Sequence, residues 1–262
     1  MIIVIAFIAH WQACVFFQSF YLHRYCAHGQ FAMSRAWQRF FHVCTYMTQG
    51  SSFLSSRAYA ILHRMHHAYS DEQRDPHSPR HFKNAFSMMW ATKGRYDAFA
   101  YRKETPEPRF EANVPDWPRL DRLSQSWLLR LAWMALYTAF YVKFATAAWM
   151  FALLPIHFVM GPVHGAIVNW CGHRYGYANY ENGDDSKNSL PLELVTAGEL
   201  FQNNHHKFPM SPNFAARWFE LDPTYVAIRA FAALGIIQLN EPQKMRYPLR
   251  TSLQADKAAP AE

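Results

Sequence analysis

His23-Arg24-Tyr25-Cys26-Ala27-His28, His63-Arg64-Met65-His66-His67 and Gln202-Asn203-Asn204-His205-His206 are the stretches whose reading decides what kind of fold this chain adopts. A further stretch, Asn169-Trp170-Cys171-Gly172-His173, stands upstream of the third. Together they carry eight histidines, each beside an apolar or aromatic-rich run.

The spacing is what metal binding requires. A helical residue turns by about 100°. His63, His66 and His67 then share one face, because i, i+3 and i+4 lie together, and three imidazoles fan toward one point. His205 and His206 fan likewise, with Gln202 completing the i, i+3, i+4 set. His23 and His28 are five apart, roughly 140° around an ideal helix. Such a pair serves two ions, or one ion where a helix ends. Eight imidazoles exceed the needs of one four-coordinate ion; two ions use them all. Imidazole suits iron, copper, zinc and nickel alike, so the ligands alone do not choose the metal. Ordinary polar histidines on solvated faces explain one such cluster well, but not three in one chain.

The composition points to a membrane. Of 262 residues, 51% are hydrophobic, 17% aromatic and 17% charged, with a net charge of +7. That is charge-poor for a soluble domain, and the length fits one large domain or two small ones. No run of Lys and Arg is dense enough for nucleic acid. Cys14, Cys26, Cys44 and Cys171 form no CxxC pair. They read as reduced, buried thiols rather than a disulfide scaffold, although Cys26 and Cys171 lie near the histidines.

Three apolar segments are long enough to span a bilayer, which takes about 20 residues: Met1–Leu22, Trp127–Ala145 and Thr146–Trp170. The first lacks the basic start and cleavage site of a signal peptide and delivers His23 to the membrane surface. Pro155, Gly161 and Pro162 make the third irregular, and His157 and His164 inside it are functional candidates by position. His10 reads as a packed or interfacial residue. Only Arg130 and Lys143 of the 26 Lys and Arg fall inside these spans, near the segment ends. With three spans, every histidine cluster faces the cytoplasm, as the excess of basic residues there demands.

Between the spans, residues 36–62 read as a helix lying at the interface. The stretch Asp71 to Pro79 breaks the helix that carries the second cluster, leaving His77 and His81 as surface or supporting residues. Residues 90–126, with four prolines, read as an extramembrane cap. Residues 192–202 form a short helix into the third cluster, 218–239 are amphipathic or partly buried, and the polar tail 241–262 is disordered.

With the clusters placed, the chain resembles the integral-membrane fatty acid desaturases of the acyl-CoA desaturase type (stearoyl-CoA delta-9 desaturase-like), in a bacterial-looking form. The motifs are HRYCAH, HRMHH, NWCGH and QNNHH, with DPHSP after the second and GELFQNNHHKFP around the last. The resemblance runs from His23 to about Tyr225. It implies an all-α fold: one domain over residues 1–240, integral membrane helices under a cytosolic helical cap, and a kinked tunnel for the acyl chain. It also implies two iron ions (Fe2+) held by His23, His28, His63, His66, His67, His173, His205 and His206, with Asn169 reaching one iron through water. The reaction implied uses O2 and two electrons to place a cis double bond, at the delta-9 position, in a saturated fatty acyl chain. That chain is carried by CoA, acyl carrier protein or a phospholipid. The chain has no dinucleotide fingerprint and no cysteine cluster. An external electron donor is therefore implied, such as ferredoxin, rubredoxin or cytochrome b5 with its reductase. The alternative is a di-iron membrane hydroxylase or ketolase acting on a lipid.

Two departures stand out. Gln202 occupies a position where the acyl-CoA type usually has histidine; glutamine coordinates through oxygen, more weakly. The family also usually has another apolar segment before the helix leading to the first motif, and here that helix begins at Met1. This implies a missing span or a start that lies upstream.

Overall fold

The computed structural model describes residues 1–189, 193–240 and 245. The polar tail expected after Asn240 lies outside the described residues, apart from Met245. Among the described residues the chain is all-α apart from one small ribbon, an antiparallel pair of three-residue strands, β1 (Phe31–Met33) and β2 (Ile237–Leu239).

Helix α1 (Ile2–Phe17) carries straight on into a π-helix, Gln18–Ala27. The combined helix, Ile2–Ala27, has 26 residues and a mean hydropathy of 1.7. Among the described residues it is the one helix long and apolar enough by itself to cross a membrane. The two later apolar segments take other forms, and the third is irregular as its prolines and glycine imply. Trp127–Ala145 does form a helix, α7 (Trp127–Phe144), but it does not meet that measure. Thr146–Trp170 is no single rod. A 3-10 turn (Ala148–Leu153) and α8 (Leu154–Phe158) meet α9 (Met160–Gly172) at 77°, and the two halves pass only as a bent pair. The bend falls where the sequence breaks the hydrogen-bond ladder. Pro155 opens α8, Val159 leaves the helical region at φ −134° and ψ 34°, and Pro162 has no N–H to give.

The expected helix over 36–62 is two helices. Ser34 caps α2 (Arg35–Gln49) by accepting from the Trp37 N–H at 3.3 Å. Gly50, at φ +51°, ends it. Phe41, His42, Thr45 and Gln49 face inward, and Trp37, Phe40, Val43 and Met47 stay exposed. The chain then kinks through Ser51–Leu54 before α3 (Ser56–Tyr69), capped by Ser55. The cap over 90–126 holds the end of α4 (Ala85–Ala100) and the short helices α5 (Pro108–Glu111) and α6 (Pro118–Ser124).

A cluster of aromatic rings joins these parts. Phe20 of the π-helix packs on Phe31, Phe41 and Phe231, at ring centroid distances of 5.1, 4.9 and 5.3 Å. Phe231 belongs to α12 (Pro223–Ala233). Burying each such ring is worth about 1.5–3 kcal/mol, so β1, α2 and α12 are fastened to the helix that carries the first motif. The expected helix over 192–202 is shorter, α10 (Glu193–Thr196); Leu192 lies outside the described residues. The QNNHH motif instead sits on its own helix, α11 (Gln202–Lys207).

Candidate metal centre

The π-helix explains how His23 and His28 reach one place. Its backbone bonds run from i to i+5, and the His28 N–H donates to the His23 carbonyl at 3.1 Å. Residues five apart thus become neighbours, with rings 5.0 Å apart. An ideal helix would have turned them away from each other.

The histidines converge in two groups rather than by sequence cluster. His23, His28, His63, His67 and His205 form one; His66, His173 and His206 form the other. In each group the ligand atoms lie within 4.8 Å of one another. The expectation that His63, His66 and His67 fan toward one point is corrected here. His66 and His67 are about 100° apart on α3, and they serve opposite sides of a pair of adjacent centres. His205 and His206 divide in the same way.

The pairing of nitrogens identifies what the groups are for. His66 Nδ1 lies 2.8 Å from Asp75, His173 Nδ1 3.1 Å from Asp71, and His206 Nδ1 2.7 Å from Asp184. His23 Nδ1 is bonded to Glu199. Each carboxylate accepts the Nδ1 proton and leaves Nε2 as a bare lone pair. Yet His66 Nε2 stands 3.2 Å from His206 Nε2, and His23 Nε2 stands 2.9 Å from His205 Nε2. In the His66–His206 pair, where carboxylates hold both Nδ1 atoms, the facing lone pairs repel unless a cation lies between them. His173 Nε2 is likewise buried with no partner. The donor set fits two divalent transition-metal ions.

Electrostatics keeps most of these ligands in binding form; His66 is the exception, raised by Asp75 against the effect of burial. Burial, reinforced by neighbouring imidazoles, lowers His63, His67 and His205 well below the usual histidine range. Burial takes His206 down to about 4. Neutral imidazole is the metal-binding form. Burial works the other way on the carboxyls of Asp75 and Asp184, but His66 and His206 outweigh it and hold them ionised. Glu199 is held at about 2, against burial, by His23 and Arg24. Asp71 sits at φ +62°, a conformation Asp tolerates better than most residues. There it accepts from Ser78 and from the Asp185 N–H as well as His173.

These carboxylates escaped the sequence reading. The signals were present: Asp75 sits in the DPHSP stretch nine residues after His66, Asp184 in the NGDDS loop, and Glu199 six residues before His205. Of the two alternatives for His77, surface or supporting, its position fits the second, being 5% exposed with its ring 4.5 Å from that of His66. His81 is exposed and bonds the Glu72 carbonyl. His10 is packed, 2.5 Å from His157, which in turn bonds Tyr141. That trio and His164 lie outside both groups. Among the described residues no cysteine joins either group.

A cavity of about 670 Å3 runs beside the first group, with His77 also in its wall. Its wall is mostly apolar, with Phe53, Leu62, Met134 and Val163 among its side chains, and His23, His63, Asn169 and Gln202 reach it. The kink at Ser51–Leu54 and the bend at Val159 create this space, since both interrupt helices that would otherwise fill it. Gln202 packs against Gly172 and donates its amide N–H to the Glu199 carbonyl at 2.6 Å.

The family model for fatty acid desaturases matches residues 1–241. Over 223 residues the chain is 28% identical to an sn-1 stearoyl-lipid 9-desaturase of Synechocystis, covering 82% of this chain and 64% of that protein. A delta-9 desaturase-like 5 protein of Arabidopsis thaliana is 29% identical over 228 residues, 83% of this chain and 70% of its own. A hex-5-enoyl-[acyl-carrier protein] acetylenase of Moorena producens is 26% identical over 264 residues, 96% of this chain and 79% of its own. The match extends across both histidine groups and the helices that carry them, and the chain belongs to the fatty acid desaturase family.

Proposed function

We propose that this protein is a membrane fatty acyl desaturase that uses O2 and two electrons to place a cis double bond, at the delta-9 position, in a saturated acyl chain. The observation that carries this reading is the pair of imidazole groups with facing Nε2 atoms, the first of them reaching a mostly apolar cavity through His23 and His63. Iron would be held by His23, His28, His63, His67 and His205 on one side and by His66, His173 and His206 on the other, with Asn169 and Gln202 facing the second site.

When bound, the irons supply an oxidant strong enough to take hydrogen from an unactivated methylene, which zinc cannot. The balance is one saturated –CH2–CH2– unit, one O2, two electrons and two protons giving –CH=CH– and two waters. The chain's own residues do the rest. The apolar wall excludes water and aligns the acyl chain, so that one pair of carbons is presented. The carboxylates of Asp71, Asp75, Asp184 and Glu199 fix the imidazole rings and balance the added positive charge.

Helix Ile2–Ala27 and the bent pair fit a membrane-embedded chain with the imidazole groups on the cytoplasmic side. The electrons come from an external carrier such as ferredoxin, rubredoxin or cytochrome b5. The similar proteins are named for acyl-lipid and acyl-carrier-protein substrates, so the test offers all three carriers. Membranes holding the protein are given an electron donor, O2 and stearoyl-lipid, stearoyl-acyl carrier protein or stearoyl-CoA. A monounsaturated product from one of them is expected. A hydroxylated product moves the assignment to a lipid hydroxylase.

A further inference from the structure

The two groups are unequal. One offers five imidazoles, the other three. Gln202 shares α11 with His206, four residues apart, yet gives its amide N–H to the Glu199 carbonyl. The second group has three imidazoles, one fewer than four-coordinate binding by imidazole alone requires.

His77 stands beside this deficit. It is 5% exposed, and neither ring nitrogen has a partner. A buried polar group left this way costs about 1–3 kcal/mol, a cost proteins rarely carry without a function or an occupant. The His77 ring lies 4.5 Å from the His66 ring and faces the same cavity. His66, Asp75 and His77 place ligand atoms within 4.8 Å of one another as a group separate from His66, His173 and His206; Asp75 is on His66 Nδ1, and His66 Nε2 faces His206. The backbone is fixed too: the His77 N–H donates to Asp75 Oδ1 at 3.0 Å, while Asp75 Oδ2 holds His66. One carboxylate thereby sets the position of both rings.

We propose that His77 supplies a fourth imidazole to the second metal ion, in place of the side chain at position 202. This rests on the di-iron reading above. His77 approaches from the cavity side, next to His66, and leaves the amides of Asn169 and Gln202 to face the remaining open position.

The test is iron content per chain, with 57Fe Mössbauer spectra, on purified holoenzyme. The variants are His77→Ala, Gln202→His and the double variant His77→Ala/Gln202→His. For His77→Ala, iron is expected to fall from about two per chain toward one, with affinity at the second site weakened about 10- to 100-fold. The double variant should regain two irons, because the imidazole at 202 replaces the one lost. Circular dichroism and thermal melting show whether each variant is folded. Folded His77→Ala that keeps both irons with unchanged spectra overturns the inference, as does a folded double variant that fails to recover the second iron. A wild-type chain that binds no iron instead overturns the function proposed above, so the two failures are distinguishable.

Discussion

His66 and His206 come from motifs 140 residues apart, yet their Nε2 atoms stand 3.2 Å from each other while Asp75 and Asp184 hold the Nδ1 atoms behind them. Two lone pairs are thus aimed at one point by carboxylates that cannot let the rings turn. Removing either ring should empty the second metal site. His66→Ala is expected to lose desaturation while still inserting in the membrane, measured by product formation and by membrane fractionation.

Asp75 should matter almost as much although it touches no metal. Asp75→Asn keeps the shape but weakens the acceptor for the His66 Nδ1 proton. Iron binding should weaken by about 10- to 100-fold, measured by iron retention against a graded chelator. Unchanged retention would mean that His66 needs no carboxylate behind it.

A second buried carboxyl gives a stability prediction. Burial raises Asp121 from 3.8 to about 6, and Ser55 donates to it at 2.8 Å. Between those two values the folded chain binds more protons than the unfolded one. Stability therefore falls as pH rises through that window and stays lower above it. Asp121→Asn removes the penalty of ionising this group. It should stabilise the fold by about 2–3 kcal/mol at pH 8 and change little at pH 4, read from thermal melts at the two pH values.

Gly50 ends α2 at φ +51°, where an added Cβ would lie 1.9 Å from the Tyr137 hydroxyl. Gly50→Ala should cost about 2–4 kcal/mol, from the clash and the left-handed backbone together. Adding Tyr137→Phe removes the nearest atom and should recover part of the loss. A denaturant melt of the single and double variants reads both.

The cavity predicts selectivity by size. Ala166 lines it, so Ala166→Trp should cut turnover of an eighteen-carbon chain by at least about tenfold, a size-exclusion cost of about 1–3 kcal/mol, while iron content stays unchanged. Equal turnover in the variant would mean that the acyl chain lies elsewhere.

The ligands were legible in the sequence because histidine at short spacing is rare and each motif sits on one local helix. Their partition was not. Spacing on an ideal helix places His63, His66 and His67 on one face, but whether adjacent residues serve one ion or two depends on which partners cross from α11 and the π-helix. The pairing of His23 with His28 was hidden because a π-helix leaves no reliable mark in the residues that form it. Asp71, Asp75, Asp184 and Glu199 looked like ordinary loop or helix acids until the fold placed them behind the rings. Apolar composition found the one helix of membrane length, Ile2–Ala27, and an irregular third segment, but not the 77° bend there, which follows from local backbone conformation around Pro155, Gly161 and Pro162.

The most direct measurement is the fatty acid profile, by mass spectrometry, of cells expressing this chain beside cells expressing His66→Ala. A new cis-monounsaturated acid with the double bond at the ninth carbon, present with the wild-type chain and absent with the variant, is the predicted result. An unchanged profile from wild-type protein that holds iron and is supplied with a working electron donor would contradict desaturation.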